Sequence, residues 1–171
     1  MAIYYSDGSN SDSGRVIQIV TSTSSTYTDV QSSSFTDFTN QHVDITPKGD
    51  GNRIIGNYTL YMNNRDDDTD SRIAFRVVEG FSGTDTTIYY PNLSEGESSH
   101  AWICKVNGSG STDTDFWQPY SFTFIRTLPS SGRAGNSHRF RCQASTSISG
   151  SNKADHCKTL GFYGTLMEVS V

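Results

Sequence analysis

The sequence is poor in cysteine, proline, charge and long apolar runs. Its 171 residues include 3 cysteines and 4 prolines, with hydrophobic residues at 33% and charged residues at 18%. No stretch is apolar enough to span a membrane as a helix, and the first residues lack the basic start and apolar run of a signal peptide. A net charge of −5 argues against a general nucleic-acid or anionic-membrane binder, because both require positive surfaces. The length fits one domain, which we place at residues 15–171.

The cysteines are odd in number and widely spaced, at Cys104, Cys142 and Cys157. Their spacing matches neither a metal knuckle nor a small disulfide framework. Cys104 and Cys142 fall on the apolar phase of their segments, so we expect buried thiols that fill space in the core. A Cys142–Cys157 bridge is the alternative. A chain assembled in a reducing cytoplasm requires no disulfide.

What the sequence has instead is an apolar residue at every second position, in a background rich in serine and threonine. Clear examples run through residues 54–62, 73–77, 102–106, 120–124, 140–144 and 165–171. Successive side chains on a strand point to opposite faces, so this period predicts half-buried antiparallel strands rather than helices. Turn-rich loops separate the segments. Together they predict an all-β fold, an antiparallel, jelly-roll-like β-sandwich, with its first strand over residues 15–20 and its last over residues 163–171.

Several predicted strands also carry apolar residues on their second face. A lone sandwich would leave that face in water, and the low apolar fraction gives a monomer a small core. We therefore expect this second face to pack between subunits. The residues assigned to subunit packing are Ile55, Tyr61, Val78, Ile103 and Ile125.

An acidic cluster occupies one loop, where Asp66, Asp68 and Asp70 alternate. Calcium loops present carboxylates at this spacing because a hard cation prefers several oxygen ligands on one side of a bend. The full EF-hand pattern fails, since Ser71 stands where its glycine belongs. The sequence thus leaves two interpretations, a Ca²⁺ site or a solvated acidic turn that discourages edge-to-edge pairing. It indicates no other cofactor.

Aromatic and basic residues near the end of the chain suggest a contact site. Arg139 and Arg141 share one face of a predicted strand and could pair with acids of a neighbouring subunit or with an acidic glycan, unless that face is simply solvated. Trp117 and Tyr120 could form a carbohydrate platform, with core or subunit packing as the alternative.

Paired carboxylates are a pattern that would suggest an enzyme. Glu95 and Glu97 flank a glycine, and paired carboxylates can perform glycoside hydrolysis. Two glutamates so close together are more typical of a polar loop tip. We therefore expect no enzymatic activity.

Seven segments, in order along the chain, together resemble one family. They are GRVIQIV (14–20), SFTDF (34–38), VDITP (43–47), NRII (52–55), RIAFRVV (72–78), YSFTF (120–124) and TLMEV (165–169). This ordered set resembles a domain of phage virion proteins, particularly in marine and cyanobacterial phages, often described as tail fibre or virion structural proteins. The resemblance implies an antiparallel β-sandwich, usually trimeric, on the outer surface of a virion, and it supplies no catalytic residues.

The expected function follows from this resemblance and from the second apolar face. We expect a homotrimeric virion structural protein, either a capsid decoration or a small head or tail appendage, that is assembled in the host cytoplasm. Residues 1–14 form its attachment arm, in which the apolar residues Ile3, Tyr4 and Tyr5 contact other virion proteins. No nucleic-acid partner and no membrane insertion are expected. The alternative is a receptor-binding tail-fibre tip that recognises host-surface glycans.

Overall fold

The computed structural model describes residues 14–65, 71–89, 102–106, 116–146 and 156–171. Ten β-strands and no helix occur in these ranges. The strands are β1 (Val16–Ser24), β2 (Thr28–Val30), β3 (Thr36–Ile45), β4 (Arg53–Arg65), β5 (Ser71–Phe81), β6 (Thr84–Tyr89), β7 (Trp102–Val106), β8 (Phe116–Thr127), β9 (His138–Thr146) and β10 (His156–Val169).

The strands form two five-stranded sheets, and every pairing between them is antiparallel. The first sheet has the order β1-β10-β4-β8, with β2 also paired to β10; the second has the order β3-β9-β5-β6, with β7 also paired to β5. The expected all-β sandwich is therefore confirmed. The two sheets pack face to face, because each presents an apolar side that water would otherwise contact.

Aromatic rings fill the space between the sheets. The ring of Tyr58 meets Phe124 and Phe162 edge-on, with centroids 5.1 and 5.0 Å apart. Its hydroxyl donates a hydrogen bond to the carbonyl oxygen of Phe140, 2.9 Å away, across the sandwich. Burial raises the pKa of the Tyr58 hydroxyl well above its ordinary value. The first sheet supplies Tyr58 and the second supplies its acceptor, so this one side chain joins both layers.

Two strand glycines make room for these rings. An added Cβ at Gly56 would lie 2.1 Å from Cζ of Phe124, which faces it on the neighbouring strand. An added Cβ at Gly164 would lie 2.6 Å from Cγ2 of Val43 and 2.4 Å from Cζ of Phe162. At both positions a larger residue would have to displace a packed core side chain, which is destabilising in a dense interior.

The last strand differs most from its prediction. β10 begins at His156, well before residue 163, and an extra residue interrupts its pairing with β4 between Thr159 and Gly161. Its phase is also reversed, because Leu166 is buried while Met167 is only half-buried. The phase error arises because both faces of residues 163–171 carry apolar side chains, so alternation does not tell which face meets the core. The bulge reverses the alternation earlier in β10 and so conceals where the strand begins. β1 is likewise longer than predicted and ends at Ser24.

Two of the three cysteines are buried and form no disulfide. Cys142 and Cys157 form no bridge and have no exposed surface. The prediction of a buried thiol is confirmed for Cys142, and the alternative of a Cys142–Cys157 disulfide is wrong. Burial raises the pKa of the Cys142 thiol well above its ordinary value, so this sulfur is held in its unreactive form. The side chain of Cys104 lies outside the described residues.

Candidate interaction surfaces

The outer face of the first sheet, meaning the side turned away from the core, carries an apolar row across four strands. Register places Ile19 of β1 beside Met167 of β10, Met167 beside Ile55 of β4, and Ile55 beside Ile125 of β8. Ile19 and Ile125, at the two ends of the row, are 58% and 61% exposed. Ile55 and Met167 are half-buried between them. A continuous apolar stripe in water is a feature of interaction sites.

In the middle of this face, the side chains beside the row are uncharged and hydrogen-bonded to each other. Thr123 Oγ1 donates to Asn57 Oδ1 at 2.7 Å, and the hydroxyls of Thr59 and Ser121 lie 2.8 Å apart. Beyond these pairs the face becomes apolar again. It presents three further residues that are about half exposed: Tyr61, Leu160 and Tyr163.

The predicted subunit-packing residues divide between the two sheets. Ile55, Tyr61 and Ile125 all lie on the outer face of the first sheet. Val78 lies on the second sheet and is 0% exposed, so it has no surface for another subunit and its assignment is wrong. Register places Val78 directly opposite Arg141 on the neighbouring strand β9. The side chain of Ile103 lies outside the described residues.

The outer face of the second sheet is instead charged and internally paired. Arg139 binds both carboxylate oxygens of Asp44, at 2.9 and 3.0 Å. Arg141 binds Asp37 at 2.8 Å and also contacts Asp85. The hydrogen bond from Arg139 holds the pKa of Asp44 below its ordinary value. Arg139 and Arg141 therefore pair with acids of their own chain, in place of the acids of a neighbouring subunit or of a glycan.

The four predicted glycan-contact residues do not form one patch. Trp117 and Tyr120 point to opposite sides of β8: Trp117 is 36% exposed on the outer face, whereas Tyr120 packs against the core. Arg139 and Arg141 lie on the other sheet. Because an odd spacing along a strand reverses the face, residues 117 and 120 cannot share one platform on a regular strand.

The end of the sandwich where β3, β8 and β10 terminate, which we call the anchored end, contains a buried carboxylate. Glu168 is fully buried and accepts hydrogen bonds from four residues: from the backbone N–H groups of Lys48 (2.8 Å) and Gly49 (3.1 Å), and from the side-chain amides of Asn52 (2.7 Å) and Gln18 (2.6 Å). The carboxylate thus fixes the turn that joins β3 to β4.

A second buried carboxylate, Glu79, holds the neighbouring loop between β8 and β9. Its Oε2 accepts a bond from Nε of Arg126 at 2.7 Å, and its Oε1 lies 2.7 Å from Nδ1 of His138 and 3.7 Å from Arg133. Phe81 stacks on the His138 ring, and the Arg133 guanidinium lies over Phe81. The sequence interpretation missed Glu79 and Glu168, although both fall on the inward phase of their strands.

The turn and the loop are also bonded to each other. Asp50 accepts the backbone N–H groups of Arg133 and Ala134, at 2.6 and 2.8 Å, which lowers the pKa of its carboxyl. The N–H of Gly51 donates to Pro129, and the N–H of Gly135 donates to Pro47. Two loops that each cross from one sheet to the other are therefore hydrogen-bonded into one surface at the anchored end.

The remaining predicted sites lie outside the described residues. These are the acidic cluster Asp66, Asp68 and Asp70, and the arm residues Ile3, Tyr4 and Tyr5. Within the described part of the chain, no group of three or more His, Cys, Asp or Glu side chains could hold a metal ion. The same part contains no helix with the length and apolarity needed to cross a membrane.

Comparisons with known proteins find similarity among solved structures. No protein-family model and no curated protein matches the chain. Among solved structures, the Eiger TNF of S. frugiperda is similar with a TM-score of 0.49 and 10% sequence identity, over 92% of this chain and 96% of that one.

Proposed function

We propose that this chain is an oligomeric structural protein on the outer surface of a bacteriophage particle, where it decorates the capsid or forms a small head or tail appendage. The observation that carries the proposal is the apolar row on the outer face of the first sheet. An isolated sandwich leaves that row in water, whereas a subunit of an assembly buries it. The ordered resemblance of residues 14–171 to phage virion domains supplies the biological setting.

The anchored end supports attachment through the N-terminal arm. The N–H of Gly14 donates to Ser170 at 2.8 Å, and the N–H of Ser170 donates to Arg15 at 3.0 Å. The arm, residues 1–14, therefore joins the sandwich beside the loops that Glu168 and Glu79 hold. Because these loops are hydrogen-bonded to each other, they can hold the domain in one orientation relative to the arm. An appendage that projects from a surface requires such a fixed orientation.

Labelled particles test this proposal. Antibody against the chain, applied to purified virions and viewed by electron microscopy, is expected to decorate the particle. A double substitution Tyr4→Asp and Tyr5→Asp should remove the protein from particles, because charge at an apolar docking segment opposes burial. The matched control places the same charges on the polar part of the arm, Ser9→Asp and Ser11→Asp, and should leave the label in place. Wild-type particles without label would contradict the proposal.

A second candidate function is recognition of a host-surface glycan. Trp117 and Tyr61 are diagonal neighbours on the outer face of the first sheet, and both are exposed. Neighbouring aromatic rings that are open to water suit a neutral sugar, whose apolar face can stack on them.

A glycan array distinguishes this candidate. If it is correct, the wild-type chain should bind a neutral glycan and Trp117→Ala should lose most of the signal. Tyr27→Ala removes an aromatic residue that is similarly exposed elsewhere, and it should bind normally. Equal signals from both variants, or no binding by the wild type, would rule out this use of the surface.

A further inference from the structure

We propose that the outer face of the first sheet binds a second copy of this chain, with the row Ile19, Met167, Ile55 and Ile125 at the centre of the contact. This inference deepens the proposed function and rests on it, because it names the surface through which the subunits meet and the partner that covers it.

The first support is the contrast between the two outer faces of the sandwich. On the second sheet, Arg139 and Arg141 are paired with Asp44, Asp37 and Asp85 of the same chain. The outer face of the second sheet is therefore stable in contact with water, because its charges are already paired. On the first sheet, the most exposed residues of the row are isoleucines, at 58% and 61%. Only the first sheet therefore gains substantially from being covered.

The second support is the size of the face. Four paired strands, about 4.8 Å apart and about ten residues long at about 3.3 Å per residue, make a surface of roughly 19 by 33 Å. That is about 600 Å² measured flat, and the accessible area of its side chains is larger. A stable interface buries about 800 Å² on each partner. The face is thus large enough for a complete subunit contact.

The third support concerns which partner fits. The charged residues of this face lie at its two ends, with Arg53 at one end and Asp29 and Lys158 at the other. The centre offers no charge for an oppositely charged partner to recognise. Its hydroxyls on Thr59, Ser121 and Thr123 both donate and accept, so an identical surface can satisfy them. An uncharged, self-complementary face favours a second copy of the same chain, and two such faces meet without burying an unpaired charge.

The test is the mass of the purified full-length chain in solution, measured by light scattering during size-exclusion chromatography and by sedimentation equilibrium. The wild type is expected at an integer multiple of the single-chain mass, two or greater. Ile125→Glu and Ile19→Glu, at opposite ends of the row, should each raise the dissociation constant about a hundredfold or more. Each copy would then bring a carboxylate into a contact that excludes water.

The control is Ser130→Glu, which adds the same charge on an exposed loop at the anchored end and should leave the mass unchanged. Far-UV circular dichroism and thermal unfolding verify that the variants fold, as expected for side chains that already face water. A wild type at the single-chain mass overturns the inference, and so does either glutamate variant with an unchanged mass. Virions without the protein would instead overturn the proposed function and leave this self-association standing.

Discussion

Replacing Glu168 with alanine is expected to lower the free energy of unfolding by about 3–5 kcal/mol. The fully buried carboxylate is the common acceptor for Lys48, Gly49, Asn52 and Gln18. Without it, several donors at the anchored end lose their acceptor in a site that water does not reach. The turn between β3 and β4 is released with them. The loss of stability therefore has two sources. Buried donors remain unpaired, and the turn is no longer held in place.

Urea denaturation, followed by fluorescence and circular dichroism, measures this effect. Glu168→Gln retains the shape of the side chain but turns an amide N–H₂ group towards other donors. We therefore expect its free energy of unfolding to lie between those of the wild type and Glu168→Ala. Gln18→Ala removes a single donor that is partly exposed, and should cost no more than about 1 kcal/mol. If Glu168→Ala were as mild as Gln18→Ala, the carboxylate would not be what holds the turn.

Replacing Glu79 with alanine is expected to have a similar cost, about 3–5 kcal/mol, because it breaks a buried ion pair by removing one partner. Arg126 would lose its bond at 2.7 Å, and Nδ1 of His138 would lose a neighbour at the same distance. His138 has no exposed surface, so water cannot replace the lost contact without opening the core. For a chain of this length, each kcal/mol corresponds to about 2–4 °C in the melting temperature.

Differential scanning calorimetry tests this prediction, with Asp44→Asn as the comparison. Asp44 and Arg139 form a bidentate pair of good geometry, but both side chains are about half exposed to water. A surface pair of this kind contributes about 0–1 kcal/mol. The buried carboxylate should therefore produce a far larger drop in melting temperature than the exposed one. Equal drops would mean that burial does not decide the contribution of Glu79.

The central strands were predictable because their alternation is regular. Residues 54–62 alternate between buried and outward positions as expected, and residues 120–124 do the same. The phase of residues 163–171 was less predictable because both of their faces carry apolar side chains. The start of β10 was not predictable either, because an extra residue between Thr159 and Gly161 interrupts its alternation. Nothing in the local sequence fixes such a bulge, since it depends on how the strand pairs with β4.

The candidate surfaces were predictable only in part. Ile55, Tyr61 and Ile125 were assigned to the second face, and the structure places them together on one sheet. Val78 follows the same local pattern but is covered from its own chain. Glu79 gave a usable signal, because it follows Val77 at a spacing of two on the predicted inward phase. Glu168 did not, because the predicted inward phase of its strand contained Met167 rather than Leu166. A carboxylate on the buried phase of a strand requires partners, and the sequence does not say which residues those are.

The two-residue period is visible in the amino-acid sequence, and it predicts strands with two distinguishable faces because alternation is a local property of a pleated chain. Which outer face has its charges paired, and which is left apolar, depends on the folded arrangement of the strands. Arg141 meets Asp37 across 104 positions of sequence, and Glu168 meets Lys48 across 120. Contacts between residues so distant are set by strand order and register. The physical reason is that burial and charge pairing depend on the neighbours supplied by the whole fold, whereas the direction of a side chain depends only on its own strand.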